Sequence, residues 1–208
     1  MIQKLVEYLS EKYNPSVIIL YGSRADNTFT QTSDIDIVCF CKSCKVKKEA
    51  RLFEGLFLDA WFYKTSEMNT ENDEFIRLSN GICLLDTNNN GSEFLKKIQN
   101  RIELGPKKLD ESDTEHLKKW VQKMILRSKV SDVEGNFRKM WLSVDLLEMY
   151  FKFRGLWYFG PKKALLWLQS NDPRAYKLFE VSYQTNATLT SITKLAKYVT
   201  SIQKTEKK

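Results

Sequence analysis

Residues 17–37 read VIILYGSRADNTFTQTSDIDI, and the fold of the first half of the chain turns on them. Val17-Ile18-Ile19-Leu20-Tyr21 is an apolar run long enough for a buried strand and too short for a helix. It stops at Gly22-Ser23. A polar segment from Arg24 to Thr32 follows. Asp34 to Phe40 then alternates, with Ile35, Ile37 and Cys39 on one side of a second strand. Alternate side chains of a strand project to one face, so Asp34 and Asp36 point together with Ile35 and Ile37 buried behind them. Two carboxylates this close repel unless a cation lies between them. Mg²⁺ suits the place, because it takes oxygen ligands in a partly hydrated shell.

Downstream, Leu56-Phe57-Leu58-Asp59-Ala60-Trp61-Phe62 holds one acid in an otherwise apolar strand. Burying an unpaired carboxylate is costly. If this strand neighbours the Asp34–Asp36 strand, Asp59 joins the same cluster, and three carboxylates suit a pair of divalent ions. Upstream, Tyr21-Gly22-Ser23-Arg24 is a strand ending at a glycine before a short helix. Such a turn lets a phosphate approach the backbone, offers helical N–H groups, and places the Ser23 hydroxyl as a donor. Arg24 is a further candidate nucleotide contact, with pairing to a neighbouring acid the equal alternative. The stretch is neither G-x₄-G-K-[ST] nor G-x-G-x-x-G.

The remaining elements follow from periodicity and breakers. Ile2, Leu5, Val6 and Leu9 mark a helix over 2–13, ended by Pro15. Lys42 to Lys48 reads as a charged turn, and Leu52 to Tyr63 as one alternating strand. Asn72 to Leu78 reads as a helix and residues 81–86 as a short strand. Asn88-Asn89-Asn90-Gly91 reads as a turn, followed by a helix capped by Ser92 and running to Glu103. Beyond Gly105-Pro106 only helical patterns occur, over 111–129, 133–154, 161–169, 172–184 and 188–203. Asp110, Asp132 and Asp172 stand at their N-caps, and Gly155 and Gly160 mark breaks. The expected architecture is α+β: a mixed β-sheet with flanking helices, drawn here on one face, over residues 1–105, then an all-helical bundle over 106–208.

The chain has 208 residues, 42% of them hydrophobic and 28% charged, which excludes a disordered chain and leaves room for a real core. No stretch has the roughly 18 apolar residues of a membrane span, and the start lacks a signal-peptide pattern, so a cytoplasmic protein is expected. The net charge of +7 favours polyanionic partners, although the lysines are dispersed rather than gathered into a groove. Cys39, Cys41 and Cys44 have the spacing C-x-C-x₂-C, which is not a zinc pattern, and read as reduced structural cysteines. Ser33 reads as a turn residue and His116 as a surface residue. The aromatic run around Trp141, Tyr150 and Trp157 reads as bundle core.

GSRADNTFTQTSDIDI followed by LFLDAWF resembles the DNA polymerase beta-like nucleotidyltransferase superfamily. Its pattern is Gly-Ser, about ten residues, Asp-x-Asp, and a third Asp on a later strand. Gly22-Ser23, Asp34, Asp36 and Asp59 match it at every position. The resemblance covers residues 1–105. It implies transfer of a nucleoside monophosphate from an NTP, with ATP the favoured donor, to an acceptor hydroxyl. It implies two Mg²⁺ ions, held by Asp34, Asp36 and Asp59, and a triphosphate held by Gly22, Ser23 and Arg24. Tyr150 to Leu165 is more loosely similar to the helical domains of small bacterial kanamycin- and lincosamide-modifying enzymes. In those enzymes the domain binds the acceptor and a glutamate can act as base. Glu148 is the candidate here, and Glu134 stands second. A small-molecule acceptor is therefore favoured. The alternative is a toxin–antitoxin type enzyme acting on protein or tRNA. The oligomeric state is open, a homodimer being one option.

Overall fold

A computed structural model describes residues 1–201. The chain divides into two compact units, Met1–Leu104 and Gly105–Lys208. Among the described residues no helix is long and apolar enough to cross a membrane.

The first unit opens with α1 (Ile2–Tyr13), which buries Leu5 and Leu9 and ends on Asn14 in the left-handed region. Then come β1 (Val17–Tyr21), a single helical turn α2 (Gly22–Ala25), β2 (Ile35–Cys41), β3 (Lys48–Phe53), β4 (Leu56–Lys64), β5 (Ile82–Asp86) and α3 (Asn90–Leu104). The strands form one mixed sheet in the order β3-β4-β2-β1-β5. β2 and β4 run parallel, and the other pairs are antiparallel. The helices cover both faces, not one. α1 packs on Ile18, Leu20, Ile35, Ile37, Cys39 and Leu58. α3 and the 3₁₀ segment Asp73–Leu78 pack on Val17, Ile19, Val38 and Phe40 through Phe75, Leu78, Phe94 and Ile98. The reason lies in β1 and the inner part of β2, which are apolar on both faces and so need two covers.

Three local expectations are corrected. The strand read over 52–63 is a hairpin. Glu54 and Gly55 both take positive φ (47° and 85°), the turn that joins two twisted strands without splaying them. The helix read over 72–78 is a 3₁₀ segment. Ser92 does not cap α3. The Asp86 carboxylate at the end of β5 does, accepting from Gly91 N–H (2.7 Å), Ser92 N–H (2.9 Å) and the Ser92 hydroxyl (2.6 Å). Cys39 and Cys41 both pack in the α1-side core.

A Cβ on Gly55 would meet nothing within 4 Å. Gly55→Ala therefore carries only the backbone cost of a side chain at positive φ, and we expect a loss of about 1 kcal/mol in urea unfolding.

The second unit holds α4 (Glu111–Arg127), α5 (Val133–Arg154), α6 (Pro161–Asn171), α7 (Pro173–Ser182) and α8 (Leu189–Thr200). Residues 202 and 203 of the last expected helix lie outside the described residues. Asp110, Asp132 and Asp172 accept from Asp113, Gly135 and Ala175 N–H, satisfying first-turn donors as N-caps do. Gly155 ends α5 in the left-handed region and Gly160 begins α6. Leu142, Leu146, Tyr150, Leu168, Phe179 and Leu195 form its core. The aromatic run is core only in part: Tyr150 and Phe151 are buried, while Trp141 and Trp167 are exposed.

Asp172 does more than cap. It also accepts from the Tyr150 hydroxyl (2.6 Å) and the Tyr198 hydroxyl (2.9 Å), tying α5, α7 and α8 together. Burial alone would raise its pKa. The hydrogen bonds from Tyr150, Ala175 N–H and Tyr198, with the charge of Arg154, outweigh burial and hold it below the usual value. A depressed carboxylate adds stability above its unfolded pKa of about 3.9 and loses it as pH falls through the lower folded value. Asp172→Ala removes a cap and leaves two tyrosine hydroxyls without their acceptor. We expect a loss of about 3 kcal/mol at pH 7 and a flatter stability curve below pH 4, read by urea titration at several pH values.

Candidate active site

The site is built by strand register. Asp36 on β2 pairs with Asp59 on parallel β4 and, on its other side, with Tyr21 on antiparallel β1. Side chains directly opposite in a sheet share a face. Tyr21, Asp36 and Asp59 therefore form one row across the strands, on the face that α3 covers further along. Asp34 lies one residue ahead of β2, in the loop, and is exposed. The row sits at the end of β1 and near the start of β2, where Asp36 and Asp59 are half-exposed while Val38 and Phe40 further along β2 are buried.

Electrostatics couples the acids. The Asp36 carboxyl is pushed up to about 6, first by burial and then by the charges of Asp34 and Asp59, while Arg77 and Arg24 pull it back. Asp59 Oδ2 accepts from the indole N–H of Trp61 at 3.1 Å. Among the described residues no three His, Cys, Asp or Glu side chains are drawn into a ready-made cage. The chemistry of the donors, hard carboxylate oxygens on Asp34, Asp36 and Asp59, is of the kind that Mg²⁺ takes.

Gly22 touches this row directly. Its φ is +72°, and a Cβ built on it would lie 2.3 Å from Asp36 Oδ2. Its backbone thus lies against the central carboxylate, and any side chain here would sit at a strained φ and push that carboxylate aside. α2 is one turn long, closed by Asp26 N–H donating to Gly22 O and Thr28 N–H to Ser23 O, so any helix dipole here is slight. Ser23 is half-buried in that turn.

Arg24 donates to the backbone carbonyls of Ser33 (2.7 Å) and Asp34 (2.9 Å) and stacks on Phe29. It staples the loop that carries Asp34 rather than pairing with a side-chain acid. Ser33 is in a turn, its hydroxyl accepting from Thr30 N–H. Glu148 lies exposed on α5 with Lys152 Nζ 3.3 Å away, and Glu134 is likewise engaged by Arg138. His116 is exposed on α4.

Arg77 joins the site without any sequence signature. It comes from the 3₁₀ segment, and its guanidinium lies over the rings of Tyr21 and Trp61, 5.3 and 5.5 Å from their centroids. Only the fold brings these three residues together.

The family described as "Polymerase beta, Nucleotidyltransferase" matches residues 3–104. A nucleotidyltransferase-like protein from Exiguobacterium sibiricum 255-15 is similar in structure, at 13% identity and a TM-score of 0.44, over 95% of this chain and 71% of that one. That likeness is too distant to carry weight. No curated protein matches the chain in sequence. The Gly-Ser turn, Asp34, Asp36 and Asp59 all fall within the matched residues, and over residues 3–104 the chain belongs to the polymerase beta nucleotidyltransferase superfamily, whose general chemistry is nucleotidyl transfer from a nucleoside triphosphate.

Proposed function

We propose that this protein moves a nucleoside monophosphate from a Mg²⁺-bound NTP to an acceptor hydroxyl, releasing pyrophosphate, and that the acceptor is a small molecule. The observation that carries the reading is the Tyr21–Asp36–Asp59 row with Gly22 packed on its central carboxylate. Asp34 and Asp36 would hold both ions, and Asp59 the one nearer the acceptor. When bound, such ions lower the pKa of the attacking hydroxyl and neutralise the charge of the phosphates. The chain's own part is placement. Gly22, lacking a side chain, lets the Asp36 carboxylate lie against the backbone that would meet the phosphates, the Ser23 hydroxyl would donate to a phosphate oxygen, and Arg24 fixes the Asp34 loop.

The small-molecule acceptor is supported by the likeness of residues 150–165 to antibiotic-modifying enzymes. The helical unit also has a cavity of about 530 Å³ lined by both apolar and polar side chains, among them Met140, Val144, Ser182 and Gln184, a size that takes a drug-sized molecule. In this reading residues 106–208 bind the acceptor and Glu148 is the candidate base. The net charge of +7 speaks for a second reading, a polyanionic acceptor such as tRNA.

Incubation with α-³²P-labelled NTPs and Mg²⁺ separates the two. The acceptors would be aminoglycosides and lincosamides in one set, and tRNA or protein in the other. Label on a small molecule supports the first reading. Label on tRNA or protein alone rejects it.

A further inference from the structure

Arg77 is placed at unusual expense. Its Nε is buried and has no hydrogen-bond partner, a loss that native structures seldom accept without a use for it. Its NH2 group donates to the Tyr63 hydroxyl at 2.9 Å and pairs with Glu74 at 3.3 Å. Its guanidinium carbon lies over the rings of both Tyr21 and Trp61. These two rings belong to the residues that border the carboxylates. Tyr21 is the register partner of Asp36 and the residue before Gly22. Trp61 lies two residues along β4 from Asp59, on the same face, and its indole N–H donates to the Asp59 carboxylate. The charge of Arg77 is also felt at Asp36.

We propose that Arg77 is a positioning residue for the carboxylate row: clamped by Tyr21 and Trp61, it holds Trp61 where its indole fixes Asp59, and holds the end of β1 where Gly22 meets Asp36. The inference rests on the NTP-binding reading above. It makes a demand that charge alone does not. A guanidinium is broad enough to lie over two rings while one of its nitrogens reaches both Tyr63 and Glu74. An ammonium is a point charge and cannot do both.

The test is calorimetry of the full chain with Mg²⁺ and each of ATP, GTP, CTP and UTP, comparing wild type with Arg77→Lys and Trp61→Phe. For the nucleotide that binds, Arg77→Lys is expected to raise Kd about tenfold with the binding stoichiometry unchanged, so that keeping the charge does not rescue the site. Trp61→Phe keeps a ring for Arg77 but deletes the N–H to Asp59, and is expected to raise Kd in the same direction. It reads the same relay should Arg77→Lys fail to fold. A Kd within twofold of wild type in either folded variant would overturn the inference while leaving the NTP site standing. So would a fall in stoichiometry at unchanged Kd, which is the mark of a merely structural role. If the wild type binds no nucleotide, the NTP reading itself fails and takes this inference with it.

Discussion

Asp36→Asn is expected to lower nucleotidyl transfer by on the order of 10³-fold or more while making the metal-free protein more stable at neutral pH. The first effect follows from its place. Asp36 is the middle member of the row, between Asp59 and Tyr21 in register and against Gly22. Metal-borne charge stabilisation is worth several kcal/mol, and each 1.36 kcal/mol is about tenfold in rate. The second effect has the opposite sign and the same origin. Burial, then Asp34 and Asp59, push the Asp36 carboxyl up to about 6. An acid with a raised folded pKa carries no penalty below its unfolded value near 4, acquires one as pH rises to about 6, and keeps it above. Asparagine removes that penalty. After allowance for solvent screening the gain is about 1 kcal/mol at pH 7. Urea unfolding without metal at pH 4 and pH 7 reads it: variant and wild type should converge at the lower pH. A variant that loses activity and stability together at pH 7 would point to plain misfolding. Sites where stability is given up for function behave in the opposite way.

Gly22→Ala is the second large effect. The new methyl meets Asp36 Oδ2 at 2.3 Å and sits at φ +72°. The backbone cost is about 1–2 kcal/mol. The clash adds a displacement of the carboxylate, and misplacement by about 1 Å costs on the order of 10² in rate. Gly55→Ala separates the two contributions. It has the same sign of φ and nothing near its Cβ, so it should lose stability alone and keep transfer per folded molecule. Equal transfer losses in both alanine variants would show that the Asp36 contact does not matter.

The register that sets Asp36 beside Asp59 was legible because residue spacing along a strand is a backbone property. Asp36 on a strand fixes a face, although Asp34 falls in the loop just before β2, and an acid in LFLDAWF has to be explained by something outside its own segment. The caps at Asp110, Asp132 and Asp172 were legible for a similar reason, since a cap reaches only three residues along the chain. What stayed hidden depends on reach through space. The hairpin at Glu54-Gly55 is masked because alternation continues through it from Leu52 to Tyr63. Ser92 stands where a cap belongs, but the Asp86 carboxylate reaches the helix first. Arg77 sits between the apolar Ile76 and Leu78, and its contact with the Tyr21 and Trp61 rings has no periodicity to betray it. Arg24, beside Gly22-Ser23, spends its guanidinium on the carbonyls of Ser33 and Asp34, a choice that only the loop's closure decides.

The central claim is that Asp34, Asp36 and Asp59 make a metal-dependent NTP site. Its most direct test is isothermal calorimetry of the full chain against the four NTPs, with Mg²⁺ and with EDTA, beside the Asp34→Ala/Asp36→Ala variant. The account predicts binding of at least one NTP that requires Mg²⁺ and is lost in the folded variant. Binding that survives EDTA or the double substitution, or no binding of any NTP by the folded wild type, would contradict it.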